Sequence, residues 1–319
     1  MDSSFTDGVV TLSEGVGRER MVDIQRARIL AAMVEVSAER GAGNVTVAHI
    51  VERAGVSRRT FYELFGDCED CFLAAFDEGV ARASRHVLDV YDPDARWEVR
   101  VRVALTALLD FLDVERGVGQ LLVVGSLGAG ANALERRRRV LAQMIAVVEE
   151  GRRETKGRAG QVELPSLTAE GLVGGVLSVL HARLLELEDE SLLELAGPLM
   201  SMIVLPYLGA PAARRELKRP VAVQERKRKP VSVDPLRDVG MRLTYRTVRV
   251  LMAVAAHPGS SNRELGLASG IGDQGQISKL LTRLARLGLI ANTDIGQARG
   301  APNAWVLTPK GIQIEQTMG

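Results

Sequence analysis

The sequence predicts a mainly α-helical protein: an N-terminal three-helix head built on a helix-turn-helix, a helical bundle in the middle, and a C-terminal winged helix with a short β wing. Three observations predict this. The segments Thr46–Phe65 and Ser261–Ile290 each combine an apolar helix face, a glycine-marked turn and a newly capped second helix. Apolar residues recur at helical spacing through the region between them. The composition, 46% hydrophobic with only 4% aromatic residues, suits helices packed through Ala, Leu and Val. At 319 residues the chain is long enough for two or three such cores. The expected organisation is a flexible N-terminus over 1–17, the first head over 18–66, the bundle over 67–208, a basic linker over 209–235 and the winged helix over 236–319.

The first head can be built from its residues. Thr46 is a good N-cap, because its side-chain oxygen can accept an orphan amide of the first turn. Val47, Ile50, Val51 and Ala54 then make one apolar face, and Gly55 ends that helix where a tight turn needs positive φ. Ser57 caps a second short helix whose Phe61 and Phe65 point into a core. Arg58, Arg59, Thr60 and Tyr62 are left outward, and these donors suit phosphate oxygens and base edges. A preceding helix, roughly Val22 to Arg40 and stopped at Gly41, completes the head. The plainer alternative is a helical hairpin whose arginines form a solvated face.

The run AGVSRRTFYELFGDCEDCF resembles the DNA-binding head of TetR-family (tetracycline-repressor-like) regulators. It carries the alanine-glycine-valine-serine turn, the threonine, the aromatic-tyrosine pair and the acidic helix start of that pattern. The resemblance covers about residues 20 to 80 and implies that Thr46, Ser57, Arg58, Arg59, Thr60 and Tyr62 touch operator DNA. One position departs from it. Cys68 stands where a phosphate-binding lysine is common, so that contact is expected to be missing or supplied by a neighbour.

The second head has clearer caps. Ser261 with Glu264 forms a capping box, and Asp273 with Gln276 makes a similar pair at the next helix. Gly270 and Gly272 supply the turn between the two helices. Ile277, Leu280, Leu281, Leu284 and Leu287 form one apolar face ended by Gly288. That leaves Gln274, Gln276, Ser278, Lys279, Thr282 and Arg283 to face outward. Leu289–Thr293 and Ala304–Leu307 read as short strands around a Gly-rich loop holding Gln297 and Arg299. The order resembles a MarR-like winged helix, the closing VLTPKG included. The resemblance implies a helix from Asp273 in the major groove and Arg299 at the minor groove or backbone. The alternative is a winged helix that binds protein or dimerises without touching DNA.

Charge is partitioned along the chain although the net formal charge is only +1. Residues 18–66 hold 8 basic against 6 acidic groups, 67–208 hold 15 against 23, 209–233 hold 8 against 2, and 234–319 hold 10 against 6. Positive ends and a negative middle are expected where only the ends meet phosphates. Two cysteines, Cys68 and Cys71, give no disulfide scaffold and fit a reducing cytoplasm. Their C-x-x-C spacing lacks a second ligand pair, and the scattered His49, His86, His181 and His257 suggest no metal site. No secretory signal and no bilayer-spanning apolar run is expected, so the expected location is cytoplasmic, without membrane contact.

In the middle, helices are expected at 67–90, 95–114, 118–127, 131–155, 168–188 and 191–207, the first capped by Asp67. The last two carry apolar stripes suited to pairing, and the TetR resemblance implies that they form a four-helix homodimer interface. It also implies a pocket for a small effector that shifts the DNA heads; Trp97, Phe111, Met144 and His181 are candidate lining residues, with ordinary core packing the plainer reading of each. Few polar groups converge there, which fits an apolar effector.

The run Leu121–Val140 poses a rival. Gly128-x-Gly130-x-x-Ala133 follows an apolar stretch and precedes a helix, as in a dinucleotide-binding turn. Gly125, Ser126 and Leu127 intervene, however, and no βα alternation surrounds it, so a glycine-rich break between helices is expected. No cofactor and no enzymatic activity are expected. The linker is Pro-, Ala- and base-rich, with a random-coil reach of roughly 30 Å. Its Arg226–Lys229 either touch DNA nonspecifically or only keep a spacer soluble. Together these readings lead to a ligand-responsive, dimeric DNA-binding regulator, more simply a repressor than an activator. An architectural DNA protein that needs no ligand is the alternative.

Overall fold

The computed structural model describes residues 5–155, 164–186, 191–220, 245–293 and 303–318. Among them are thirteen α-helices and one two-stranded sheet. In chain order the elements are α1 (Phe5–Arg40), α2 (Val47–Ala54), α3 (Arg58–Leu64), α4 (Cys68–Leu88), α5 (Trp97–Val114), α6 (Arg116–Val123), α7 (Ala131–Thr155), α8 (Thr168–Leu185), α9 (Ala196–Lys218), α10 (Tyr245–Ala256), α11 (Asn262–Ala268), α12 (Gln274–Arg286), β1 (Ile290–Asn292), β2 (Trp305–Leu307) and α13 (Pro309–Met318). Two compact units share the chain. One comprises residues 30–50 and 65–231, the other 1–29, 51–64 and 232–319.

The first unit is a helical bundle. Asp67 caps α4, its Oδ1 accepting the Asp70 amide at 2.8 Å, and Glu69 and Asp70 complement the helix dipole. Trp97, Leu109, Leu112, Leu180, Leu184 and Met200 form the fully buried centre. Close helix approach depends on small residues. A Cβ on Gly79 would come within 2.9 Å of Val118, and one on Gly119 within 3.0 Å of Leu112. The Trp97 indole donates to the Val147 carbonyl at 2.9 Å and meets Tyr207 edge-on at 5.0 Å. Val34, from the second half of α1, packs against this core beside Gly117.

Three expectations are corrected here. The N-terminus read as flexible over 1–17 is helical from Phe5; Gly8, Gly15 and Gly17 lowered its local propensity without stopping the helix. The linker does not begin at 209, because α9 continues to Lys218 across a break at Gly209, φ +79. Beyond that break Ala212, Ala213 and Glu216 return to the bundle core, and Glu216 pairs with the buried Arg102 guanidinium. Arg102 also donates to the Arg219 carbonyl at 3.3 Å. Basic, proline-containing composition marked a linker where one helix face in fact had an interior to occupy. Residues 221–235, including Arg226–Lys229, lie outside the described residues. Third, Leu192–Lys218 is long and apolar enough to cross a membrane, with a mean hydropathy of 1.5 over its best window. Much of that apolar surface is the buried face formed by Leu199, Met200, Ile203 and Val204.

The Gly128 segment takes the helix-break form. Leu121–Val123 end α6, a short 3₁₀ turn covers Gly125–Leu127, and α7 begins at Ala131. The apolar run before the glycines is helical, so the strand–turn–helix a dinucleotide needs is not built there.

The second unit holds α10 to α13 with β1 and β2, an order and a small sheet consistent with a winged helix and its wing. The strands pair antiparallel, Ile290 opposite Leu307 and Asn292 opposite Trp305. Val250, Leu251 and Val254 of α10 join Leu265, Ile277, Leu281, Leu284 and Ile314 in its core. Sequence reasoning passed over α10 and α13. Thr308 caps α13 by accepting the Gly311 amide at 3.1 Å, with Pro309 at the first helical position, where it gives up no needed amide. Met21 of α1, 3% exposed, belongs to the same core, and Ile24 packs beside it.

Candidate nucleic-acid interface

The first interface is assembled by caps. Thr46 Oγ1 accepts the His49 amide at 3.4 Å and the Thr46 carbonyl accepts that of Ile50 at 3.2 Å, starting α2 with Ile50 fully buried. Gly55 has φ +63, and the Val56 amide returns to the Val51 carbonyl at 3.1 Å. The positive φ is what favours glycine at this turn; a Cβ there would lie 3.1 Å from the movable Arg28 guanidinium. Ser57 Oγ then accepts the Thr60 amide at 3.0 Å and starts α3.

The inward face of α3 is Phe61, 0% exposed, and Phe65 just beyond the helix is 4% exposed. Its outward face carries the expected residues. Arg58, Arg59 and Tyr62 are exposed, while Ser57 and Thr60 are half-buried, their hydroxyls 2.9 Å apart. Tyr62 stands edge-on to Phe61 with 58% of its surface in solvent. Arg59 is not unengaged: its Nε donates to Glu63 Oε1 at 2.8 Å, one turn along. The pair holds the guanidinium above its ordinary pKa. At this exposure it is readily exchanged for a phosphate.

Cys68 opens α4, half-buried, and burial with Asp67 beside it pushes its thiol pKa up. That is the opposite of an activated thiolate. Cys71 is fully buried. Among the described residues no group of His, Cys, Asp and Glu is placed to hold a metal.

The second interface lies on α12. The capping box at Ser261 is complete: Ser261 Oγ accepts the Glu264 amide at 3.4 Å, and Glu264 Oε2 accepts the Ser261 amide at 2.8 Å. The Ser261 amide, together with the Ser261 hydroxyl that donates to Oε2 at 2.9 Å, holds the Glu264 carboxyl below its usual pKa. Asp273 Oδ1 accepts the Gln276 amide at 3.0 Å. The Gln276 side chain does not return to the Asp273 backbone as a full box would; its Nε2 lies 3.5 Å from the Asp273 carboxylate. Ile277, Leu281 and Leu284 are fully buried, and Gln274, Gln276, Lys279, Thr282 and Arg283 are exposed, with Ser278 half-buried. Gln297 and Arg299 lie outside the described residues. Arg246, Arg263 and Arg286 are exposed on the same module and were missed in the sequence. The apolar spacing of Val248, Leu251 and Val254 was the signal that would have placed Arg246 on a helix.

Of the four candidate effector residues, Trp97 and Phe111 belong to the bundle's hydrophobic core and Met144 packs against it. Trp97 is fully buried, wedged so tightly on Gly151 that a Cβ there would come within 2.6 Å of its ring. Phe111 is 5% exposed beside His86, and Met144 packs half-buried against the core. His181 is half-buried with Nδ1 unpartnered. A concavity of about 200 Å³ lies elsewhere, among Arg116, Arg183, Glu186, Ser191, Leu192, Glu194 and Leu195, and includes none of the four.

Residues 29–75 match the model of the tetR family of bacterial regulatory proteins. The match runs from within α1 through α2 and α3 into α4, and it is this segment that is similar to the N-terminal domain of those regulators. No curated protein matches the chain. Among solved structures it is similar to the fatty acid degradation regulator FadR of Bacillus halodurans, at 19% identity and a TM-score of 0.49, over 56% of this chain and 94% of that one. It is similar to a TetR-like transcriptional regulator of Rhodococcus sp. RHA1, at 20% identity and a TM-score of 0.46, over 58% and 97%. A third is the transcriptional regulator FadR of Bacillus subtilis, solved with stearoyl-CoA, at 18% identity and a TM-score of 0.48, over 58% and 98%.

Proposed function

We propose that this chain is a transcriptional repressor that reads operator DNA through α3 as a homodimer, with α12 as a second reader. The observation that carries the reading is the division of α3: Phe61 is sealed inside while Arg58, Arg59 and Tyr62 stand exposed, within the segment that matches the tetR family. Two arginines and a phenol on a short capped helix are the donors a phosphate backbone and base edges require. Thr46 and Ser57 add hydroxyls at the two helix starts.

Dimerisation is supported by the outward faces of α8 and α9. Gly171 and Gly174 face open space, and Leu185 and Leu205 are 56% and 48% exposed. Apolar and small residues on two adjacent helices suit a self-complementary four-helix contact. Doubling the head also offsets its modest charge. A small apolar effector acting through the bundle, and a cytoplasmic location, belong to the same proposal.

A second reading for the winged helix rests on Leu267, 76% exposed on α11. A large apolar side chain in that place suits a protein partner. The test is selection of duplexes from a random library by the full chain, followed by Arg58→Ala and Tyr62→Ala. The proposal expects one enriched, two-fold symmetric sequence whose binding both substitutions weaken by about tenfold or more. Enrichment untouched by either substitution would remove α3 as the reader.

A further inference from the structure

Gln276 is an exposed residue in the first turn of α12, yet both ends of its amide are engaged. Its Oε1 accepts from Arg246 Nη1 of α10 at 3.1 Å, and its Nε2 points to Asp273 Oδ2 at 3.5 Å. Amide oxygen and nitrogen are otherwise easily interchanged, but here the partners decide the orientation. A guanidinium only donates and a carboxylate only accepts, so the oxygen must face Arg246 and the nitrogen must face Asp273. Asp273 is itself held, because its other oxygen accepts the Gln276 backbone amide at 3.0 Å. Arg246 stands on α10, whose Val250, Leu251 and Val254 are buried in the module's core.

A glutamine fixed this way keeps one N–H and one acceptor site unused, side by side and in known order. That pair matches the major-groove edge of adenine, which offers N7 as acceptor and N6 as donor. A rotating glutamine would read the same edge but would lose side-chain entropy on doing so; this one is ordered before DNA arrives. We propose that Gln276 reads a single adenine in the major groove and that Arg246 is its positioning residue. The proposal rests on the reading of α12 as a second DNA head and adds the base it recognises.

The test is duplex selection by the full-length chain and by variants. The wild-type protein is expected to enrich sites with adenine at one position of the part contacted by the C-terminal module. Gln276→Ala should lose that preference by about tenfold while leaving the rest of the site unchanged. Arg246→Ala should relax the same position, and Arg246→Lys, which still donates to Oε1, should restore part of it. A purely structural Arg246 would weaken binding evenly or lower thermal stability without moving any base preference, and that result overturns its positioning role. If Gln276→Ala keeps the adenine while full-length Lys279→Ala with Arg283→Ala loses it, α12 reads DNA by other residues and the inference fails alone. If the full-length chain with Gln274, Gln276, Lys279 and Arg283 all changed to Ala still selects the whole site, adenine included, the second-head reading fails with it.

Discussion

Ser57 Oγ accepts the backbone amide of Thr60 at 3.0 Å and lies 2.9 Å from the Thr60 hydroxyl. The same oxygen is therefore both the N-cap of α3 and a candidate DNA contact, and these roles can be separated. Ser57→Ala should cost about 1 kcal/mol of stability by removing the cap. Ser57→Asp should keep the cap and recover the melting temperature, yet place a carboxylate where phosphates are proposed to sit. Its DNA affinity should fall below that of the alanine variant. Equal affinities for the two variants would assign Ser57 to capping alone.

The Arg102–Glu216 pair joins α5 to the end of α9, with 9% and 11% of the two side chains exposed. Removing one partner strands a buried charge. Glu216→Ala should destabilise the bundle by about 3–5 kcal/mol in chemical denaturation. Arg102→Met combined with Glu216→Leu should cost much less. An additive double variant would mean that the pair does not act as a unit.

A side chain on Gly311 would collide with the Leu289 carbonyl oxygen, a backbone atom with little room to move. Gly311→Ala should therefore cost about 1–3 kcal/mol of local stability. Hydrogen exchange should show lost protection in α10 to α13 while α4 to α9 keep theirs. Uniform loss over both sets would show the two units unfolding as one.

Leu205 and Gly174 lie on the outward faces of α9 and α8. Leu205→Glu and Gly174→Arg change only exposed positions, so the monomer should fold normally. Sedimentation should report a shift from dimer to monomer in both variants, accompanied by weaker operator binding. A dimer that persists through both places the interface elsewhere.

Caps and periodicity made most of this legible. Thr46, Ser57, Asp67, Ser261 and Asp273 each cap the helix expected of them, because capping is a local hydrogen bond between near neighbours in sequence. Helices α4 to α8 fell within a few residues of their expected ends for the same reason, whereas α9 ran on to Lys218. What was missed depends on distant partners. Residues 209–218 look like linker until Arg102 is seen to meet Glu216 across more than a hundred positions. Met21 looks like an ordinary helix residue until the core of α10 to α13 closes on it. Arg246 looks like a solvated charge until α10 brings it to Gln276.

The most direct measurement is salt-titrated footprinting of the full chain and of a chain ended at Pro220 on the same operator duplex. Each phosphate contact contributes about 0.9 to the slope of log affinity against log salt. The shorter chain is expected to keep protecting the symmetric centre bound by α3, with a smaller footprint and a shallower slope. Identical footprints and slopes would contradict a second DNA reader. A centre still protected by the full chain carrying Arg58→Ala and Tyr62→Ala would contradict α3 as the first.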